Sequence, residues 1–202
     1  AFFLFVFIRF IKKDSLRVTK KMLFSLVGIG SIMALHWFFF FESIKVSNVS
    51  IALSCLSLST LFAAIMEPIV FKRKVDWIEV VIGMVIVGCI LLIFNAELQY
   101  KLGIFYGIIC ALCGTIFSVF NGKIYGKTSS GNIIFYEIFG GWAVITLIFL
   151  LTGQLSELGE ISTGNIALII LLASLFTAYP MLESIKLMQY ISPFTLILTV
   201  NL

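Results

Sequence analysis

This sequence contains few charged residues, few prolines and a single histidine. Charged side chains make up 12% of its 202 residues, there are 3 prolines, and the net charge is +4. Soluble domains average about 25% charged residues, so this composition excludes an ordinary water-exposed surface. The basic residues fall in short segments between apolar runs, which is not the pattern of a nucleic-acid-binding surface. We therefore predict no nucleic-acid partner.

Motifs of several enzyme and pump classes are also missing. The sequence has no G-x-x-x-x-G-K-[ST] loop, which argues against an ATP-driven pump, and no H-E-x-x-H motif or nucleophile–base arrangement. All four cysteines lie inside apolar runs, and only Cys110 and Cys113 form a C-x-x-C pair. Because no second Cys/His pair completes a metal site, we interpret this pair as small packing residues. The sequence therefore predicts no enzyme, no cofactor and no metal.

Long apolar runs dominate the chain instead. Hydrophobic residues make up 61% of it, against about 45–50% in soluble domains. Six runs each reach the length of about 20 residues that crosses roughly 30 Å of hydrocarbon, and such a segment must be helical because lipid offers no partner for the backbone. We predict an all-α, polytopic membrane protein with six complete spans: Met22–Phe41, Val49–Val70, Trp77–Phe94, Gly103–Phe120, Gly131–Thr152 and Thr163–Leu182.

The apolar runs at the two ends are shorter than a bilayer requires. Ala1–Ile11 and Gln189–Leu202 are predicted to be partial spans of a longer protein. Lysines and arginines concentrate in alternate loops, as in Lys72–Lys74, whereas the intervening loops hold only Lys45 and Lys101. Since cytoplasmic loops are enriched in these residues, the basic loops are predicted to be cytoplasmic.

A tetrapeptide, Glu-Ser-Ile-Lys, occurs twice, at Glu42–Lys45 and at Glu183–Lys186. Each copy closes an apolar run, and the copies are five predicted crossings apart. An odd number of crossings places them on opposite faces of the membrane, in helices that run in opposite directions. A repeated unit with inverted topology is typical of secondary transporters.

The two copies are each followed by a similar arrangement. In the first, a short turn at Ser43–Ser47 leads into Ala52–Ala64, which is rich in small and hydroxyl residues, and the helix closes in Glu67–Pro68 before a basic loop. With these features, Ala34–Pro68 resembles the EamA-type unit of the drug/metabolite transporter superfamily, and Leu182–Leu202 resembles the same unit again. One feature departs from the family pattern, because a proline often found midway along this helix is replaced here by serine and threonine.

The resemblance implies inverted five-helix repeats in a full protein of ten helices, with the first half in residues 1–94 and the second in 103–202. It also implies a multi-pass protein of a bacterial-type cytoplasmic membrane that exports a small metabolite, such as an amino acid, by alternating access. Proton coupling and exchange are both left open, and a homodimer is one option for its assembly. The alternative function is a membrane-embedded scaffold or lipid-handling protein without transport activity.

Polar residues inside spans are the first candidates for a substrate site, because burying them costs free energy unless they have partners or water. Glu137 lies a few residues inside its helix and would carry protons or contact a cationic group. The alternative is a structural hydrogen bond or partial exposure near the interface. His36 is the only histidine, and its usual pKa near 6.5 suits a proton-coupled step, although it could equally be hydrogen-bonded within the bundle.

Trp37 is predicted either to form a wall of the cavity or to belong to an outer aromatic belt with the phenylalanines that follow it. Ser54 and Ser57 share a helical face and would line the cavity with hydroxyls or allow close helix packing. Asn121 is either a cavity residue or a helix C-terminal cap beside Gly122.

Tyr179 precedes Pro180, which is predicted to free backbone carbonyls that a substrate or water could use. Glu67 and Glu79 flank the basic cluster at the predicted cytoplasmic surface. We interpret them as interfacial charge pairs worth less than about 1 kcal/mol.

Overall fold

The fold is built from helices alone across the part of the chain that the computed structural model describes, residues 16–96, 98–153 and 163–201. The predicted partial span Ala1–Ile11 lies outside these residues. A 3-10 turn at Leu98–Tyr100 and a π-helical turn at Ser174–Ala178 accompany the helices. The helices are α1 (Lys20–Val46), α2 (Val49–Leu56), α3 (Leu58–Phe71), α4 (Trp77–Ala96), α5 (Lys101–Ile124), α6 (Ser130–Thr152), α7 (Thr163–Ala173), α8 (Tyr179–Leu187) and α9 (Pro193–Asn201).

Among the described residues, six segments are long and apolar enough to cross a membrane, which confirms the six predicted spans and the all-α membrane class. Their large apolar side chains face outward to an extent that water would not tolerate, with Leu92 76% and Leu151 78% exposed. Lipid is the solvent that suits such a surface, so the chain is an integral, multi-pass membrane protein. The segments are Lys20–Val46, Val49–Phe71, Trp77–Phe94, Lys101–Ile124, Ser130–Thr152 and Gly164–Leu187.

The two Glu-Ser-Ile-Lys copies adopt the same local structure. In Glu42–Lys45 the lysine Nζ lies 3.3 Å from the glutamate Oε1, and in Glu183–Lys186 this distance is 2.6 Å. Each copy ends a helix, and a polar side chain then caps the next one. Asn48 Oδ1 accepts from the N–H three residues ahead at 2.9 Å, and Ser192 Oγ does the same at 3.2 Å. Because Ser192 caps α9, that helix begins at Pro193, later than the predicted start of the last apolar run.

The chain divides into two compact units. The first comprises residues up to Ser31 together with Tyr125–Gln189, and the second comprises Ile32–Ile124 and Tyr190–Leu202. These units are defined by packing. The sequence halves 1–94 and 103–202 are defined by the repeat and stay a prediction.

In the second unit, α5 packs against α2, α3 and α9, and α3 also packs against α4 and α9. One apolar cluster joins Ile51 and Cys55 to Ile90 and Phe94 of α4. Alanines of α3 form another cluster with Phe194 of α9. The small side chains of α3 allow the neighbouring helix to approach closely, as membrane helix packing requires.

In the first unit, α6 approaches the N-terminal part of α1 at two glycines, and α6 also contacts α8. A Cβ placed on Gly30 would overlap the backbone of Glu137, and one placed on Gly140 would lie 2.6 Å from the carbonyl oxygen of Val27. The two backbones are therefore in contact at both positions, and any side chain there would force the helices apart.

Candidate functional site

The span formed by α2 and α3 is interrupted at Ser57, in the interior of the second unit. Helix α2 ends at Leu56 and α3 begins at Leu58. The N–H of Ser57 donates to the carbonyl of Ser54 at 3.2 Å, and the N–H of Thr60 donates to the carbonyl of Ser57 at 3.2 Å. Both bonds connect residues three apart, which is the tighter 3-10 pattern rather than the α-helical one. The α-helical hydrogen bonding is therefore broken at this one residue, although Ser57 keeps helical backbone angles (φ −63°, ψ −20°), and no proline stands where the family pattern often places one.

Hydroxyl and amide side chains stabilise this break. In an uninterrupted helix the carbonyl of Leu56 would accept from the N–H of Thr60, but here it accepts from the hydroxyl of Ser59. Thr115 of α5 donates its hydroxyl to the carbonyl of Ser59 at 3.3 Å. Asn201 of α9 donates its amide Nδ2 to Ser59 Oγ at 3.0 Å. Three separate helices thus supply the polar groups that a broken helix needs inside a membrane.

Helices α3 and α5 bury several hydroxyl and amide side chains in the second unit. Thr60, Thr115 and Asn121 have no exposed surface, and Ser59 and Ser118 are also buried. The hydroxyl oxygen of Thr60 has no hydrogen-bond partner among the described residues. An unsatisfied buried hydroxyl costs about 1–3 kcal/mol, so Thr60 is the kind of group that a ligand or water would satisfy.

The predicted residues Ser54, Ser57 and Asn121 all belong to this second unit. Ser54 and Ser57 are partly buried and take part in the break itself, since the N–H of one bonds to the carbonyl of the other. Asn121 lies inside α5, which continues to Ile124, so its interpretation as a C-terminal cap is wrong. Gly122 does not end the helix, because its missing side chain makes room for Pro193 of α9: a Cβ there would lie 2.6 Å from the proline Cγ.

His36 lies on α1 within the second unit and is partly buried. Its Nδ1 is 2.9 Å from the carbonyl oxygen of Cys110 on α5 and 3.3 Å from the sulfur of the same residue. The neighbouring Trp37 is also partly buried. Beyond it, Phe38 is 41% and Phe41 65% exposed, as an outward-facing aromatic belt requires.

Glu137 lies on α6 in the first unit and has no exposed surface. The alternative of partial exposure near the interface is therefore wrong, because the backbone contact with Gly30 of α1 closes the space around it. A carboxylate buried at this depth is expensive in a membrane and is usually retained for a function or a specific partner.

Tyr179, the other predicted residue of the first unit, is 58% exposed. It follows the π-helical turn, and its N–H donates to the carbonyl of Ser174, five residues earlier. Pro180 has no N–H to continue the helical pattern, so the chain widens before it. The hydroxyl of Thr177 donates to the carbonyl of Leu172 at 2.9 Å, within the same helix. The use of backbone carbonyls freed by Pro180 by a substrate or water stays a prediction.

Glu67 is buried, which corrects its interpretation as a surface charge pair. One of its oxygens, Oε2, accepts from the N–H of Phe194 at the start of α9 at 2.7 Å, and Oε1 accepts from Arg73 Nη2 at 3.2 Å. Arg73 also donates to Glu79 Oε2 at 2.6 Å. Burial by itself lowers the pKa of Arg73, but the hydrogen bond to Glu79 and the negative charges of both glutamates outweigh it, so the pKa is raised. The carboxylate of Glu67 therefore caps α9 while its charge is balanced by Arg73.

The predicted residues are divided between the two units. His36, Trp37, Ser54, Ser57 and Asn121 belong to the second unit, and Glu137 and Tyr179 to the first. Three polar residues near the break were not among the predicted site residues: Thr60, Thr115 and Asn201. For Thr60 a signal was present, because hydroxyl residues occupy the position where a proline is often found. For the other two the signal lies in contacts between distant parts of the chain.

Comparison with known proteins adds one finding. The family model described as the EamA-like transporter family matches residues 1–95. This stretch contains α1, the broken span α2–α3 and nearly all of α4. Neither a curated protein nor a solved structure matches the chain.

Proposed function

We propose that this chain, which matches the EamA-like transporter family over residues 1–95, is a secondary carrier that exports a small polar metabolite, such as an amino acid. The family match and the apolar helices support a membrane transporter of the drug/metabolite transporter superfamily that acts on a small molecule in a lipid bilayer. We further propose that transport runs outward, that the substrate is of the amino-acid class, and that the protein lies in the cytoplasmic membrane of a bacterial-type cell.

The observation that carries the proposal is the break at Ser57 inside the span Val49–Phe71. Discontinuous helices form the binding sites of many secondary transporters, because the ends of the broken segments present free polar backbone groups near the middle of the membrane. Irregular backbone is tolerated at this depth only where protein or a water-filled cavity satisfies it. Here the break also lies beside Thr60, whose hydroxyl has no partner among the described residues.

The chemistry of this interior favours a small polar cargo. Its groups are hydroxyls and amides, which recognise hydrogen-bonding substrates through orientation rather than through net charge. Thr60 and Asn121 are the two buried members that we assign to the cargo, and Thr115 holds the break in shape. Alternating access would then change which side of the membrane reaches these groups. Proton coupling and exchange both stay open as ways to drive transport. The homodimer also stays a prediction.

Thr60→Val tests this assignment. The hydroxyl is lost at nearly unchanged side-chain shape, and because it has no partner in the described structure, we expect the thermal midpoint to stay equal or rise. If the hydroxyl binds cargo, uptake should fall about three- to tenfold, the loss of one neutral hydrogen bond. The measurement is uptake of a radiolabelled mixture of the twenty amino acids into proteoliposomes of the purified chain.

The matched control is Thr199→Val, an exposed threonine whose hydroxyl bonds within its own helix. This variant should transport like the wild type. Uptake by Thr60→Val equal to the wild type would remove Thr60 from the substrate site. If wild-type proteoliposomes accumulate no amino acid but exchange fluorescent phospholipid between leaflets, the lipid-handling alternative replaces the carrier.

A further inference from the structure

We infer that the imidazole of His36 is held with Nε2 as a hydrogen-bond acceptor for an ammonium group on the cargo. The inference rests on the proposed carrier function and deepens it by naming the part of the substrate that is recognised. His36 is the only histidine in the chain, so every histidine-specific measurement reports on this residue alone.

The nitrogen Nδ1 of His36 lies 2.9 Å from the carbonyl oxygen of Cys110. A carbonyl oxygen only accepts hydrogen bonds, so Nδ1 must carry a hydrogen at this distance. The opposite tautomer would let the thiol of Cys110, 3.3 Å away, donate to Nδ1, but it would place two lone pairs against each other across 2.9 Å. The neutral ring therefore carries its lone pair on Nε2.

The imidazole ring of His36 lies against α5 at Gly114. A Cβ placed on Gly114 would be 2.9 Å from Nδ1 and 3.1 Å from Cε1 of His36. Gly114 lies one helical turn after Cys110, so the same face of α5 provides both the carbonyl acceptor and the gap for the ring. The absence of a side chain at Gly114 thus lets the imidazole approach the helix and fixes which way its other nitrogen points.

The described residues provide no hydrogen-bond partner for Nε2 of His36. His36 is partly exposed and lies six residues before Glu42, about 9 Å along the helix and inside the predicted span. A polar nitrogen without a partner at this depth loses free energy unless a ligand or water supplies one. Since Nε2 in this tautomer only accepts, its partner must be a donor.

Among small polar metabolites, the ammonium group is the strongest donor, because charge-assisted hydrogen bonds are about twice as strong as neutral ones. It is also the group that an amino acid has and a carboxylic acid of the same skeleton lacks. A thiol at 3.3 Å and a backbone carbonyl are the other groups of α5 that face the ring, and neither carries a positive charge that would repel an ammonium.

The test uses the full chain in lipid nanodiscs with 15N-labelled histidine. Because there is one histidine, its two ring nitrogens give one pair of signals, and we expect a protonated Nδ1 and an unprotonated Nε2. Titration with a mixture of the twenty amino acids should shift the Nε2 signal, whereas the corresponding carboxylic acids without the amino group should not. A protonated Nε2 in the neutral ring, or a signal that no amine shifts, would overturn the inference.

Variants separate recognition from packing. His36→Asn keeps an N–H near the position of Nδ1, where it can still donate to the carbonyl of Cys110, but it has nothing at the position of Nε2. We expect its thermal midpoint to stay close to that of the wild type, while amino-acid uptake falls about tenfold to a hundredfold, the loss of one hydrogen bond to a charged group. Wild-type uptake by a folded His36→Asn would show that His36 only packs, which contradicts the inference.

Gly114→Ala should displace the ring and reproduce this loss of uptake, and the Nε2 signal should no longer respond to amino acids. Gly28→Ala is the matched control, because a Cβ at Gly28 on α1 meets nothing within 4 Å. The two proposals fail separately. If the wild type takes up amino acids but the Nε2 signal does not shift, only the role of His36 is contradicted. If the Nε2 signal shifts but no uptake occurs, only the carrier function is contradicted.

Discussion

In the part of the chain that the structure describes, two membrane spans are interrupted, and they are interrupted in different ways. The span formed by α2 and α3 breaks at Ser57 without a proline, and hydrogen bonds from α5 and α9 reach the break. The span formed by α7 and α8 widens into a π-helical turn at Ser174–Ala178, directly before Pro180, and none of the residues in this turn is buried. In the described structure, the hydroxyls of this turn bond only to carbonyls of their own helix.

The break at Ser57 is made by tertiary contacts, whereas the π-helical turn at Ser174–Ala178 is made by the local covalent structure of proline. Proline removes an N–H and crowds the preceding turn wherever it occurs, so the π-helical turn needs no neighbour. Serine and threonine only offer alternative hydrogen bonds, and these form a break when other helices provide acceptors and donors at the same place. The break at Ser57 should therefore depend on residues far away in the sequence, and the π-helical turn should not.

Glu67→Ala should have the largest effect, because α9 brings Asn201 to the break and Glu67 holds the start of α9. The substitution leaves the buried N–H of Phe194 without an acceptor and removes one of the two carboxylates beside Arg73. We expect the free energy of unfolding to fall by about 3 kcal/mol. Amide exchange around Ser57 should rise, while exchange at Ser174–Ala178 stays unchanged.

The measurement is thermal unfolding in detergent together with hydrogen exchange read by mass spectrometry. Glu42→Ala removes an exposed glutamate from an ion pair and should cost less than about 1 kcal/mol, so it serves as the control. Equal losses for the two variants would contradict the role of Glu67 as a buried cap.

Thr115→Val should have an intermediate effect. It removes the hydroxyl that donates to the carbonyl of Ser59 at 3.3 Å and to that of Ala111 at 2.9 Å. We expect a loss of about 1–2 kcal/mol, since the carbonyl of Ser59 loses its partner from α5. Hydrogen exchange at the break should rise although the substituted residue is more than fifty positions away. If exchange changes only within α5, the break does not depend on tertiary contacts and the comparison fails.

Pro180→Ala should have the smallest effect on stability. It restores an N–H that can bond to the preceding turn, and the side chains of the π-helical turn are largely exposed, as Phe176 is at 64%, so little packing can be lost. We expect the free energy of unfolding to change by less than about 1 kcal/mol, with slower amide exchange as the turn becomes α-helical. Persistence of the π-helical turn, read from the unchanged exchange pattern, would show that proline is not its cause.

The residues that sequence reasoning described well are those whose behaviour depends on near neighbours. The six spans follow from runs of about 20 apolar residues, and each matches a helix within a few positions. The effect of Pro180 on its own helix was also predictable. Glu137 was recognised as unusual from its position alone, but its burial depends on the close approach of Gly30 on another helix. A contact between two helices cannot be predicted from the sequence pattern of either helix.

The errors have the same origin. Glu67 looked like a surface residue because it precedes a basic loop, and only the folded chain brings the start of α9 to its carboxylate. Asn121 looked like a helix cap because glycine follows it, but that glycine is retained for the close approach of Pro193. In both cases the partner is about 70 or more residues away.

The sequence by itself determined that this protein is a helical membrane protein, how many complete spans it has in the stretch considered, and where proline disturbs one of them. Composition and local backbone chemistry suffice for these properties, because each depends on residues within one helix. The tertiary structure alone decided that α2 and α3 are separate helices, that Glu67 caps α9, and that the ring of His36 turns Nδ1 toward α5. Each of these involves hydrogen bonds between residues distant in the sequence, and such a bond forms only when folding brings the donor of one helix to the acceptor of another.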